Sequence, residues 1–231
     1  MTRPDLPSLT SGVRTISVRM HGRYLIDAPA DAVATLVGFH GYQENAASHL
    51  DVLRRITGGR VVNLISIQAL NRFYTRANTV VAGWMTKEDR DLAIADNIAY
   101  VAAVLAEVAG EIGSTRPLVY AGFSQGVAMA YRAAAFVQRP CEGVIALAGD
   151  VPPDVVPVAA GLPITLIGRG TTDKWYTAEK AGVDVAALRD AGVAVVEHVF
   201  EGGHEWDDSF VARAGAFVDE RIGATPARSG D

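Results

Sequence analysis

With 231 residues, 49% of them hydrophobic, the chain is long enough to bury one substantial core. Its 21 basic and 26 acidic residues leave a formal charge of −5 with the two signs interspersed, which speaks against a phosphate-backbone binder and so against nucleic acid as a partner. The lone Cys141 cannot form an intrachain disulfide, no run of eighteen uninterrupted apolar residues offers a membrane span, and the first thirty residues lack the apolar core of a secretion signal, so a cytoplasmic setting is expected.

The chain reads as a single domain over 1–231, with polar, Pro-containing ends at about 1–12 and 223–231 expected to fray. Thr15 to Arg19 and Arg23 to Asp27, joined through His21-Gly22, have the alternation of a β-hairpin. Six short apolar runs follow: Val33 to Phe39, Val61 to Ile67, Pro117 to Ala121, Gly143 to Ala148, Leu162 to Ile167 and Val193 to Phe200. Their β-branched content and unbroken hydrophobicity fit strands buried on both faces of a parallel sheet. Helical periodicity fills the intervals at about Asn45 to Thr57, Lys87 to Ile112, Gln125 to Gln138, Thr177 to Ala191 and Trp206 to Ile222. The expected fold class is α/β: a three-layer α/β/α sandwich on a mostly parallel, eight-stranded sheet with an antiparallel N-terminal hairpin. Thirteen residues, Gly149 to Gly161, separate the run Gly143 to Ala148 from the run Leu162 to Ile167, too few for an inserted cap domain.

Between one of these runs and a helix stands Gly122-Phe-Ser124-Gln-Gly126. By chance, roughly one chain in ten of this composition would hold a G-x-S-x-G string, so its setting must carry the argument. The setting is that of a nucleophile elbow, in which a serine sits on a strained strand-to-helix turn with glycines where a Cβ would collide with backbone. In open α/β sheets ligands gather beyond the carboxyl ends of the strands. The residues at those ends are His40-Gly41-Tyr42-Gln43, the elbow, Gly168-Arg-Gly-Thr-Thr-Asp173 and Glu201-Gly-Gly-His204, so that one rim holds a serine, an acid and a histidine. A serine hydroxyl needs a base near neutral pH, and histidine has the matching pKa. His204 would take the Ser124 proton, Asp173 would hold the imidazole in the right tautomer, and the backbone N–H groups of Tyr42 and Gln125 would form the oxyanion hole. Asp150, after another strand on the same rim, is a rival for the acid and otherwise a candidate substrate contact.

These motifs resemble the α/β-hydrolase fold and, within it, the phospholipase/carboxylesterase family that includes acyl-protein thioesterases. The resemblance spans about residues 30 to 222 and rests on Phe39-His40-Gly41, on the Gly-Phe-Ser-Gln-Gly form of the elbow, on Gly-Trp84-Met, on Gly168 through Asp173 and on Gly203-His204. It implies hydrolysis of carboxylic esters, thioesters or lysophospholipids with the triad Ser124, Asp173 and His204, and no metal or organic cofactor. Two segments depart from that pattern: Ala-Gly-Asp150-Val-Pro-Pro, where a more apolar stretch is usual, and a lengthened acid loop reading Gly-Arg-Gly-Thr-Thr-Asp-Lys-Trp-Tyr.

The expected activity is therefore a serine hydrolase for small or short-chain esters or thioesters, acting as a monomer or homodimer. On the same triad a lysophospholipase, a peptidase or an esterase for polysaccharide esters is the enzymatic alternative. A protein that keeps the fold only to bind a ligand is the alternative outside catalysis. Trp84 is a candidate lining residue of the substrate pocket, His40 a support for the oxyanion loop, and Arg72 and Arg76 possible contacts for an anionic substrate group. No H-x-x-x-H pair suggests a helical metal site.

Overall fold

The computed structural model describes residues 12–113 and 116–223. The ends expected to fray lie outside these residues, Gly12 and Gly223 excepted. The chain forms β1 (Arg23–Asp27), β2 (Thr35–Phe39), α1 (Ala46–Thr57), β3 (Asn63–Gln68), β4 (Asn71–Tyr74), β5 (Val80–Gly83), α2 (Arg90–Ile112), β6 (Leu118–Phe123), α3 (Gln125–Phe136), β7 (Gly143–Leu147), β8 (Thr165–Gly170), α4 (Ala178–Asp190), β9 (Val195–Phe200) and α5 (Asp208–Ile222).

Seven strands make one sheet in the order β1-β3-β2-β6-β7-β8-β9, parallel except for the β1–β3 pair. The unbroken apolar runs are divided between two layers by the two-residue period of a strand. In β6, Leu118 and Tyr120 join the core beneath α2, α3 and α4, while Val119, Ala121 and Phe123 join the core beneath α1 and α5. Val144 and Ala146 of β7 divide from Ile145 and Leu147 in the same way. By length and composition α2 could cross a membrane. Its stripe Val101, Val104, Leu105 and Val108, at i, i+3, i+4 and i+7, is instead buried in the first of these cores.

The sheet has seven strands and not the expected eight, because Thr15 to Arg19 forms no strand. Its alternation is real, but Ile16 and Val18 are 87% and 78% exposed, so no core face rewards pairing. The Tyr100 hydroxyl also accepts the Arg23 N–H at 2.9 Å and donates to the Arg23 carbonyl at 2.7 Å, occupying backbone groups that a hairpin partner would engage. The segment between β3 and α2, for which the sequence predicts neither strand nor helix, holds the separate antiparallel pair β4–β5.

The chain passes from β2 to its neighbour β3 on one side and from β6 to β7 on the other, so the connections leave the carboxyl ends of the adjacent strands β2 and β6 in opposite directions. Such a reversal opens a crevice at the strand ends, and here it falls between His40-Gly41-Tyr42 and Ser124.

Candidate active site

Ser124 links β6 to α3 with φ 50° and ψ −118°, a backbone conformation that costs a non-glycine residue about 1–3 kcal/mol. The turn is tight on both sides. A Cβ on Gly122 would lie 2.5 Å from the Gly126 carbonyl oxygen, and one on Gly126 would fall on the Phe39 carbonyl of the neighbouring strand. Glycine at both positions is therefore a steric requirement of the elbow.

The half-buried Ser124 Oγ lies 2.8 Å from His204 Nε2, and His204 Nδ1 lies 2.8 Å from Asp173 Oδ2. The Asp173 side chain is fully buried, whereas His204 is 23% exposed. Asp173 Oδ1 accepts the backbone N–H groups of Trp175 at 2.8 Å and Tyr176 at 3.0 Å, which fixes the carboxylate and leaves Oδ2 for the histidine. The imidazole also packs on Phe123, 5.0 Å between ring centres, with Trp206 behind that ring. The three residues named from the sequence thus lie in one hydrogen-bonded line. Asp150 is elsewhere on the rim, its Oδ1 3.6 Å from Lys180 Nζ, and it is Asp173 that meets His204.

Tyr42 and Gln125 line the same cavity as Ser124 and His204, and neither backbone N–H donates to any of the described residues. Several interactions hold the Tyr42 turn, the Glu44 N–H donating to the Gly41 carbonyl at 3.3 Å among them. The Gly41 N–H donates to Glu44 Oε2 at 2.7 Å, the Gln43 N–H to the Ala82 carbonyl at 3.1 Å, and His40 braces the turn from within. Because His40 Nε2 accepts the Ala69 N–H at 3.0 Å, its proton sits on Nδ1, which donates to the Gly41 carbonyl at 2.7 Å. Burial lowers the His40 pKa and keeps that neutral tautomer. Burial raises the Glu44 pKa, opposed by its hydrogen bond from Gly41 and by the nearby His204.

Trp84 does not line the cavity. It is fully buried, edge-on to Phe39 with ring centres 5.6 Å apart, and its indole N–H donates to the His40 carbonyl at 2.9 Å. Its backbone N–H donates to Gln125 Oε1 at 2.7 Å, and Gln125 Nε2 donates to the Met85 carbonyl at 3.0 Å. The expected pocket residue is therefore a strut between the oxyanion loop and the elbow. Arg72 faces away, donating to the His21 carbonyl at 3.0 Å, and neither it nor Arg76 belongs to the wall around Ser124.

The cavity measures about 950 Å³. Besides the residues above, its wall includes Arg90, Trp175, Tyr176, Lys180 and Asp184. Glu44, Lys180 and Asp184 were not singled out from the sequence. Glu44, three residues beyond Gly41, has the spacing of a carboxylate that closes a turn on a backbone N–H, whereas the two α4 residues carry no local signal.

No protein-family profile matches the chain, and no curated protein sequence does. Solved structures do resemble it. The crystal structure of esterase PE8 superposes with a TM-score of 0.69 at 23% identity, covering 88% of this chain and all of its own. A Bacillus cereus carboxylesterase gives 0.68 at 18%, covering 87% of this chain and 94% of its own. Zea mays acyl-protein thioesterase 2 gives 0.67 at 18%, covering 87% of this chain and all of its own. At these identities the likeness speaks for architecture, and it agrees with the sheet and the strand-end crevice: the chain has the α/β-hydrolase fold.

Proposed function

We propose that the protein is a serine hydrolase of carboxylic esters or thioesters, working through an acyl-enzyme at Ser124. The observation that carries this reading is the unbroken line Asp173–His204–Ser124, ending in the cavity beside two undonated backbone N–H groups. His204 Nε2 takes the Ser124 proton as Oγ attacks the carbonyl carbon, while Asp173 holds the Nδ1 proton and stabilises the imidazolium. The oxygen that becomes negative is received by the N–H groups of Tyr42 and Gln125; one such donor typically contributes about 10²–10³ in turnover. His204 returns the proton to the leaving group, then activates the water that releases the acid. The described neighbours that share this fold are named as esterases and thioesterases, which supports the same reaction class. The charged side chains of Arg90, Lys180, Asp150 and Asp184 in the cavity wall favour small or short-chain substrates over long acyl chains.

The test is a series of p-nitrophenyl esters from acetate to palmitate, with wild type and Ser124→Ala run together and both treated with a fluorophosphonate. Wild type should label and hydrolyse butyrate faster than palmitate, and Ser124→Ala should lose about 10⁶ of turnover and all labelling. Equal activity in the two proteins refutes the assignment; silence in both points to a ligand-binding protein.

A further inference from the structure

Away from Ser124 the cavity wall is formed by the acid loop and the first turns of α4, and it has two unusual features. Asp184 is only 9% exposed, yet it lines the cavity. Its Oδ2 accepts both the Val151 N–H and the Tyr176 hydroxyl at 3.0 Å, while Oδ1 accepts from none of the described residues. Burial raises the pKa of this carboxyl, opposed by those two hydrogen bonds. The second oxygen is open to the cavity, where a donor brought by a ligand can take the place of water.

The second feature is Trp175, whose side chain lines the same cavity and is 73% exposed. Its backbone is fixed at both ends: the N–H by Asp173 Oδ1, the carbonyl by Lys180 Nζ at 2.9 Å. A large aromatic face is thus held in water on an anchored loop. The same wall carries Asp150 and Lys180, which offer further acceptors and a donor with opposite charges.

A long acyl chain would strand these polar groups, and a substrate of either charge would meet a like charge as well as an opposite one. A neutral hydroxylated ring matches both features, since its C–H face can lie on the indole while its hydroxyls donate to carboxylates. We propose that the substrate is an ester of a sugar or cyclic polyol, its ring on Trp175 and one hydroxyl donating to Asp184 Oδ1. This rests on the serine-hydrolase reading. The Ser124 Oγ–acyl bond forms as the acyl–oxygen bond breaks, and the sugar oxygen leaves with the proton His204 took from Ser124. Water then splits the acyl-enzyme, giving the carboxylic acid and restoring the Ser124 hydroxyl.

The probe pair is a methyl β-xylopyranoside monoacetate against cyclohexyl acetate, a ring of similar size without hydroxyls, with acetate release followed at constant pH. Wild type should favour the sugar ester in kcat/KM by at least about 10-fold, as a site that hydrogen-bonds a hydroxyl rejects the analogue lacking it. The ratio is read within each protein, so a general loss of activity cancels. Trp175→Ala, at an exposed position that folding does not depend on, and Asp184→Asn should each bring it towards one. A wild-type ratio near one, with p-nitrophenyl acetate still cleaved and Ser124 still labelled, overturns the sugar proposal alone. A ratio unchanged in both variants overturns the assignment to Trp175 and Asp184. Failure on all three esters overturns the hydrolase reading and this proposal with it.

Discussion

Replacing Asp173 by Asn should leave the fold intact and remove most of the reaction. Oδ1 of the aspartate accepts two backbone N–H groups, from Trp175 and Tyr176, and the amide oxygen of Asn can keep both. The loss in stability should stay below about 1 kcal/mol, or about 2–4 °C in Tm for a chain of this size. The position of Oδ2, 2.8 Å from His204 Nδ1, would be taken by an NH₂ donor. Nδ1 must then accept, and the ring proton moves to Nε2, where it faces the Ser124 Oγ at 2.8 Å and cannot receive the hydroxyl proton. A tautomer error of this kind costs about 10⁴ in kcat, equivalent to about 5.5 kcal/mol of transition-state stabilisation. The assay is kcat for p-nitrophenyl butyrate alongside thermal melting, with Asp173→Ala and Asp150→Asn as companions. Asp173→Ala should add a stability loss of about 1–2 kcal/mol because the two N–H groups lose their acceptor. Turnover of Asp173→Asn within tenfold of wild type refutes the reasoning, and a 10⁴ loss in Asp150→Asn instead moves the acid to that residue.

Gln125→Ala keeps the backbone N–H but leaves the Trp84 N–H and the Met85 carbonyl without their partner. It should cost about 2 kcal/mol, read as a fall of about 4–8 °C in Tm; a Tm within 1 °C of wild type contradicts the strut. Glu44→Gln preserves an oxygen for the Gly41 N–H while removing a carboxylate whose pKa burial raises. A raised carboxyl pKa means that the native charged form carries a cost which is absent below the ordinary Glu range and complete above the folded pKa. The variant should therefore gain stability over wild type as pH rises through that value and lose turnover, since a negative charge near His204 is gone; urea denaturation at pH 4 and pH 8 checks the sign. Arg132, fully buried, donates to both oxygens of Asp154 at 2.8 and 2.7 Å, and the first of these contacts' effects is to lower the Asp154 pKa. Asp154→Ala should cost about 3 kcal/mol at neutral pH, the low end for a broken ion pair because Asp154 is one-third exposed. A depressed folded pKa places that stabilisation above the ordinary Asp range and removes it as pH falls through the folded value, so the penalty should shrink in acid. A pH-independent penalty argues that packing, not charge, holds the pair.

Several elements were readable from the chain because their causes are local. The five helices and six apolar strands follow from periodicity, and the elbow from glycines that only a backbone collision explains. Ser124, Asp173 and His204 could be named because each follows a strand on one rim, and strand direction in a βα series is determined by the connections. The same local logic misled at Thr15 to Arg19, where alternation promised a strand but no neighbouring surface was there to bury it.

What only the tertiary structure decided are relations between segments far apart in the chain. Asp173 and Asp150 are equivalent in sequence, both acids just past a strand; only the assembled sheet brings His204, 31 residues on, against the first and Lys180, from α4, beside the second. Trp84 sits beside motif residues and reads as a pocket wall, yet the register of β2 against β6 brings Phe39, His40 and Gln125 around it and buries it. Asp184 is an ordinary helical residue until the loop after β7 and the acid loop close on one of its oxygens and leave the other facing the cavity. Composition and period follow from neighbours a few residues away, so the sequence determines them alone; orientation and burial depend on contacts 30 to 80 residues distant, which exist only once the sheet has assembled.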